Sequence, residues 1–172
     1  PCYTWSRTMD ANVLVLGKES VGKSALTVRL LTRRFIGEYG LHPAESVYSH
    51  SLVVDGREMT LNIWDSPHSE DLSLKTSLFA KKVQWADGFV LVYSICDRAS
   101  FNTVCRLVQA IRSARDCLSA DKAPIVIVGN KRDLHHRRAV PSEEGRRLAL
   151  QTGCHFYEVS AAENYHGVLT AF

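Results

Sequence analysis

The stretch NVLVLGKESVGKSALTVRLLT (residues 12–32) decides how the rest of the chain is read. Asn12–Leu16 is a short apolar run that stops at Gly17. Lys23–Thr32 has helix-forming character and puts Ala25, Leu26, Leu30 and Leu31 on a common stripe. Between them Gly17–Ser24 reads GKESVGKS, which satisfies G-x-x-x-x-G-K-[ST]. Strand before and helix after are the context that makes this motif specific. Backbone N–H groups of such a turn, together with the helix N-terminus, form an anion site. Lys23 supplies positive charge for outer phosphates, and the Ser24 hydroxyl is suited to ligating Mg²⁺.

Outward from that stretch the elements alternate. Val47–Val54 and Met59–Trp64 read as two strands joined at Asp55-Gly56, a hairpin signal. Gly88–Ile95 (GFVLVYSI) and Pro124–Val128 (PIVIV) are near-continuous apolar runs, as expected of parallel strands buried on both faces. Phe101–Leu118 and Ser142–Gln151 carry helical periodicity, and the SEEG at Ser142 puts acids in a first turn. His155–Val159 is the last strand. The order β-α-β-β-α-β-α-β-α-β predicts an α/β doubly wound sheet of six strands, mostly parallel, with one antiparallel edge hairpin. Residues 1–10 read as an N-terminal extension and 11–172 as one domain. Only Glu163–Phe172 remain for a final helix, so that helix is expected to be truncated.

Composition bounds the function. The chain has 172 residues, 45% of them hydrophobic and 23% charged, which suits one globular domain. No apolar run reaches membrane-spanning length. A net charge of +3, with basic pairs scattered at Arg33-Arg34, Lys81-Lys82, Arg137-Arg138 and Arg146-Arg147, argues against nucleic acid as a partner. Each pair is read as a solvated face. Five cysteines without a CxxC spacing make a disulfide framework or a zinc site a poor reading and a reducing compartment the better one. Cys96 is read as a small buried hydrophobe. A cytoplasmic monomer is the expectation.

The base is read from a second motif. Gly129–Leu134 (GNKRDL) contains N-K-x-D and follows the PIVIV strand, at the strand end where such sheets bind ligands. A carboxylate there can accept from both the N1–H and the 2-amino group of guanine. Adenine offers neither donor, so the buried acid would go unsatisfied. Ser160-Ala161 after the last strand adds a small residue and a backbone N–H nearby.

These pieces, in order and spacing from Asn12 to about Phe172, resemble the Ras-like small GTPases. KSALTVRLLTRRFIGEY and WADGFVLVYSICDRASF resemble the divergent branch that includes the estrogen-regulated growth inhibitor and its "Ras-like" relatives. The resemblance implies GTP or GDP and Mg²⁺ as ligands. Glu19, Ser20, Val21, Gly22, Lys23, Ser24 and Ala25 would line the phosphates, and Ser24 and Asp65 would support the metal. Phe35 would lie edge-on against guanine. Asn130 and Asp133 would fix the base with the Lys131 stem along it. Ser160 would steady Asp133, with Ala161 and Ala162 completing the base site. Residues 39–48 and 65–75 would meet protein effectors or regulators.

The base half matches the family and the γ-phosphate half departs from it. Glu19 and Ser20 replace residues that are usually Gly, and Glu19 brings bulk and negative charge. Where the family carries a Mg²⁺-ligating Thr after Tyr39, this chain offers His42 or Pro43, neither with a hydroxyl, and Ser46 only further along. In place of D-T-A-G-Q stands Asp65-Ser66-Pro67-His68-Ser69. His68 takes the place of Gly, and Ser69 is too short for the water-orienting work of Gln. No catalytic residue is assigned; His68 is the candidate for a base. The expectation is a guanine-nucleotide-binding signalling protein with very slow hydrolysis. The alternative is a pseudo-GTPase interaction module with little nucleotide-dependent switching.

Overall fold

A computed structural model describes residues 9–32, 46–65, 77–116 and 122–160. Among them the chain forms a six-stranded sheet in the order β2-β3-β1-β4-β5-β6. The strands are β1 Met9–Leu16, β2 Ser46–Val54, β3 Arg57–Asp65, β4 Gly88–Ser94, β5 Ile125–Asn130 and β6 His155–Glu158. Helices α1 Lys23–Thr32, α2 Ser77–Trp85, α3 Arg98–Asp116 and α4 Ser142–Thr152 connect them, with a 3₁₀ segment over Arg132–Arg137. All neighbours are parallel except β2 and β3, the antiparallel edge hairpin. Its turn residues Asp55 and Gly56 have φ of 51° and 75°, the pair of positive angles that a type I′ turn requires.

The sheet divides the core in two. On one face β1, β4 and β5 send Leu14, Leu16, Phe89, Leu91, Tyr93 and Ile125 against α2, α3 and α4. On the other, Val13, Val15, Ile63, Val90, Val92 and Val128 cover Leu26 of α1. Strands β4 and β5 are therefore apolar at successive positions because both of their faces are covered. The chain leaves β1 toward one side of the sheet and leaves β4 toward the other. That reversal opens a crevice at the carboxyl ends of β1 and β4.

Three expectations from the sequence differ from the structure. Strand β1 starts at Met9 rather than Asn12, because Met9, Asp10 and Ala11 continue the pairing with Met59–Leu61. Exposure of Met9 and Asp10 hides that extension from any apolar pattern. The basic pairs are not all solvated. Lys81 is exposed, yet Lys82 is only 7% exposed, with its ammonium 5.3 Å from the Trp64 ring centre. Its long stem lets the charge lie over the indole while the rest is buried. Trp64 also meets Trp85 edge-to-face at 5.3 Å, which pins the end of α2 to β3. Arg138 is half-buried and forms a two-pronged pair with Glu158 at 2.6 and 3.0 Å. Cys96 is half-buried rather than buried, its Sγ 3.6 Å from the Leu134 carbonyl. No helix among the described residues is long and apolar enough to cross a membrane. A final helix over 163–172 lies outside the described residues.

Helix α4 packs by means of Gly145. A Cβ there would fall 2.4 Å from Phe156 Cε2 and 2.8 Å from the Tyr93 hydroxyl. Tyr93 is fully buried and stacks edge-to-face on Phe101 at 5.0 Å, so it cannot give way easily. Gly145→Ala is expected to lower stability by about 2 kcal/mol through overpacking. That corresponds to a melting-point drop of roughly 4–8 °C, readable by thermal denaturation. An unchanged midpoint would mean that α4 shifts off β6 at little cost.

Candidate nucleotide site

Residues 17–24 wrap the carboxyl end of β1. Gly17 lies against β4: a Cβ there would sit 2.3 Å from the Val92 carbonyl oxygen, a backbone atom that cannot retreat. Gly22 has a φ of 92°, and a Cβ on it would meet Asn130 Nδ2 at 2.4 Å. The Leu26 N–H then donates to the Gly22 carbonyl at 3.0 Å, which starts α1. The amides of its first turn have no acceptor within the helix and face the loop.

Side chains hold four of the loop's carbonyls. Lys23 Nζ donates to Gly17 O at 2.8 Å and to Lys18 O at 3.0 Å. Lys131 Nζ donates to Ser20 O at 2.8 Å, and Asn130 Nδ2 to Val21 O at 2.8 Å. Ser20 and Lys131, joined to each other, are both in the left-handed region, with φ of 61° and 66°. Such backbone costs a side-chain-bearing residue on the order of 1–2 kcal/mol each. Engaging those carbonyls favours peptide orientations that leave amides for an anion.

The N-K-R-D segment is assembled on the same edge. Asn130 ends β5 and is 3% exposed. The left-handed Lys131 turns the chain into the 3₁₀ segment that carries Asp133. Ser160 Oγ donates to Asp133 Oδ1 at 2.6 Å, while the Val159 N–H bonds to Gly129 O at 2.8 Å and fixes the end of β6 beside β5. Asp133, Asn130, Lys131 and Ser160 thus come together with Val21 and Ser20. Phe35, Ala161 and Ala162 lie outside the described residues, as do His42, Pro43, Ser66, Pro67, His68 and Ser69.

Asp65 ends β3 opposite Val15 of β1, two residues before Gly17, and is 8% exposed. Across the hairpin it faces Ser46 in register. Lys23 is 7% exposed. Burial pushes its ammonium down to about 8, while the charges of Asp65 and then Glu19 act to raise it. No cluster of three or more His, Cys, Asp or Glu occurs among the described residues. The Ser24 hydroxyl and the Asp65 carboxylate are hard oxygen donors, a set that suits Mg²⁺, which takes few protein ligands and completes its shell with water and phosphate.

One partner was not legible in the sequence. Lys18 Nζ reaches Asp97 Oδ2 at 3.3 Å, 79 positions away. Asp97 also accepts from the Ala99 and Ser100 N–H groups at the start of α3, so one carboxylate caps a helix and tethers the loop. No local pattern marks such a pair.

A crevice at the reversal of a parallel sheet, carrying a phosphate-type loop and a base-type loop bonded to each other, defines a P-loop nucleotide-binding fold. The Ras family profile matches residues 12–172, and the chain belongs to that family of small GTPases. It is 46% identical over 156 residues to the bovine (Bos taurus) Ras-related and estrogen-regulated growth inhibitor-like protein, an alignment covering 90% of this chain and 75% of that one. It is 43% identical over 167 residues to Ras-like protein family member 11A of Rattus norvegicus, covering 95% and 67%. Against Ras-like protein family member 11B of Danio rerio the identity is 40% over 164 residues, covering 93% and 65%.

The buried lysine predicts a pH effect on the nucleotide-free chain. Unfolded, Lys23 titrates near 10.5; folded, near 8. Between those values the unfolded state binds a proton that the folded state does not, so stability rises with pH across that window. Below about 8 both states are charged and the cost is constant. The unfolding free energy of wild type minus that of Lys23→Met should therefore climb from pH 8 to 10, by at most about 1.4 kcal/mol per unit. Urea titrations of the two proteins at several pH values read it; a flat difference would contradict the effect of burial.

Proposed function

We propose that the chain binds GTP and GDP between residues 17–24 and 130–133 and hydrolyses GTP very slowly, acting as a cytoplasmic, monomeric signalling regulator. The observation that best supports this is the pair of bonds tying Asn130 and Lys131 to the carbonyls of Val21 and Ser20, both 2.8 Å. They hold a phosphate loop and a guanine-reading segment in one rigid unit. In this reading Asp133, oriented by Ser160, accepts from the guanine N1–H and 2-amino group. Phe35 lies against the base, and Ala161 and Ala162 follow Ser160 around it. The amides of Ser20–Ala25 receive the phosphates, and Lys23 turns from the loop carbonyls toward their charge. Ser24 and Asp65 would hold Mg²⁺, which when bound offsets the charge of the phosphates.

Slow hydrolysis follows from what the chain puts around the terminal phosphate. Ser69 replaces the water-orienting Gln, and Glu19 crowds the approach of an arginine finger. Unaided Ras-type hydrolysis runs at about 10⁻⁴ s⁻¹, and a finger-bearing partner adds roughly 10⁵-fold. Little of that gain is available here. Regions 39–48 and 65–75 remain the surfaces for effectors and regulators. The second reading, a pseudo-GTPase module, is favoured by His68 standing where the γ-phosphate-contacting Gly belongs.

Nucleotide content after purification and binding of fluorescent GDP separate the two. Retained nucleotide with submicromolar affinity is expected; an empty protein without such binding refutes the first reading. Asp133→Asn should move preference from guanine to xanthine nucleotides, measured by competition, and unchanged selectivity would sink the assignment of the base site. Single-turnover hydrolysis should run at or below about 10⁻⁴ s⁻¹. A fast rate would mean that His68 or another group orients the water.

A further inference from the structure

Glu19 lies at the bend of the phosphate loop, and both of its neighbours are fixed. The Lys18 carbonyl is held by Lys23 and the Ser20 carbonyl by Lys131. When Lys23 turns to phosphate, the Lys131 bond still holds the carbonyl that follows Glu19, whose side chain is exposed. Lys18, the other cation of the loop, is committed to Asp97 at 3.3 Å. Lys23 is therefore the ammonium left for phosphate, and its Nζ lies 3.0 Å from the carbonyl of the peptide joining Lys18 to Glu19. Asp65 is anchored at a strand end beside β1, where a divalent cation would answer it. For Glu19 the nearby cation is Lys23 itself.

We propose that Glu19 makes this loop selective for the diphosphate: its carboxylate shares Lys23 with the outermost phosphate and repels the additional charge of a triphosphate. The inference rests on the nucleotide-binding reading above and deepens it. The inner phosphate is served by backbone amides of the loop and the first turn of α1, which Glu19 does not oppose. A third phosphoryl group extends toward Lys23 and the second carboxylate. Repulsion between unit charges several ångströms apart in a partly hydrated cleft is worth about five- to tenfold in affinity. Screening by salt weakens it.

The test is competition of GDP and of the slowly hydrolysed analogue GTPγS against fluorescent GDP. It uses the nucleotide-stripped chain as wild type, Glu19→Gln and Glu58→Gln, the last an exposed carboxylate on β3 far along the strand from Asp65. Wild type should favour GDP. Glu19→Gln should narrow that preference by about five- to tenfold, chiefly through tighter GTPγS binding, and raised salt should narrow it in wild type. Glu58→Gln should leave the ratio where it is. An identical GDP-to-GTPγS ratio in wild type and Glu19→Gln overturns the inference while leaving nucleotide binding standing, as does an equal change for both ligands. Failure of wild type to bind either ligand overturns the nucleotide reading itself, and this inference with it.

Discussion

The site depends on one close approach, that of the Asn130 side-chain amide to the Val21 carbonyl at 2.8 Å across the backbone of Gly22. Asn130 ends β5 and Val21 lies in the loop after β1, with β4 between those strands. The bond therefore spans the tip of β4, whose Val92 carbonyl presses on Gly17 from below. Loop 17–24 is clamped between the two. A methyl group at either glycine would intrude, at Gly17 on backbone and at Gly22 on the amide that makes the bond. The sheet can support this because β4 and β5 are buried on both faces and their carboxyl ends are fixed by the whole core.

That rigidity is also what sustains the strained backbone at the crevice. Ser20 and Lys131 adopt left-handed angles that neither side chain favours, and the bond between them holds both. Lys131 needs that angle to turn the chain sharply from β5 into the segment that presents Asp133. Ser20 needs it so that the loop can bend back toward α1. Ser160 then orders the Asp133 carboxylate, while the second oxygen and remaining lone pairs give the acid capacity for further acceptance. Two local costs are thus offset by contacts that come from opposite ends of the chain.

How far this was legible from sequence depends on the range of each interaction. Strands β4 and β5 announce themselves because burial on both faces leaves an uninterrupted apolar run. The β2–β3 turn announces itself through Asp55-Gly56, and the loop through its two glycines, Lys23 and Ser24. Interactions between distant positions leave no such trace. Lys18 meets Asp97 and Lys131 meets Ser20 across separations of 79 and 111 residues. Lys82 looks solvated in the sequence because periodicity cannot foresee the Trp64 indole over which its ammonium lies. Strand β1 reaches back to Met9 through ladder bonds that need no apolar side chain. The limits of α2 stayed undefined for a related reason: its nine residues hold two lysines and a glutamine, and tertiary contacts decide which of them face inward.

The rigid half and the altered half of the crevice have different consequences for signalling. A Ras-type switch works because the terminal phosphate orders two loops, and the energy for that comes from the difference between triphosphate and diphosphate contacts. In the proposed reading Lys23 and Asp65 would carry part of that difference. Glu19 would oppose it, and residues 66–69 include neither the Gly nor the Gln found there in the family. A ligand moves a two-state equilibrium only by its differential affinity for the two states. A chain that holds the base firmly but gains little from the third phosphate would bind nucleotide as a structural element, and its occupancy would stabilise the fold more than it would switch it. Comparing the thermal stabilisation conferred by GDP and by GTPγS at equal saturation bears on the point. Near-equal shifts accompany a structural ligand, whereas a switch shows a clear difference between them.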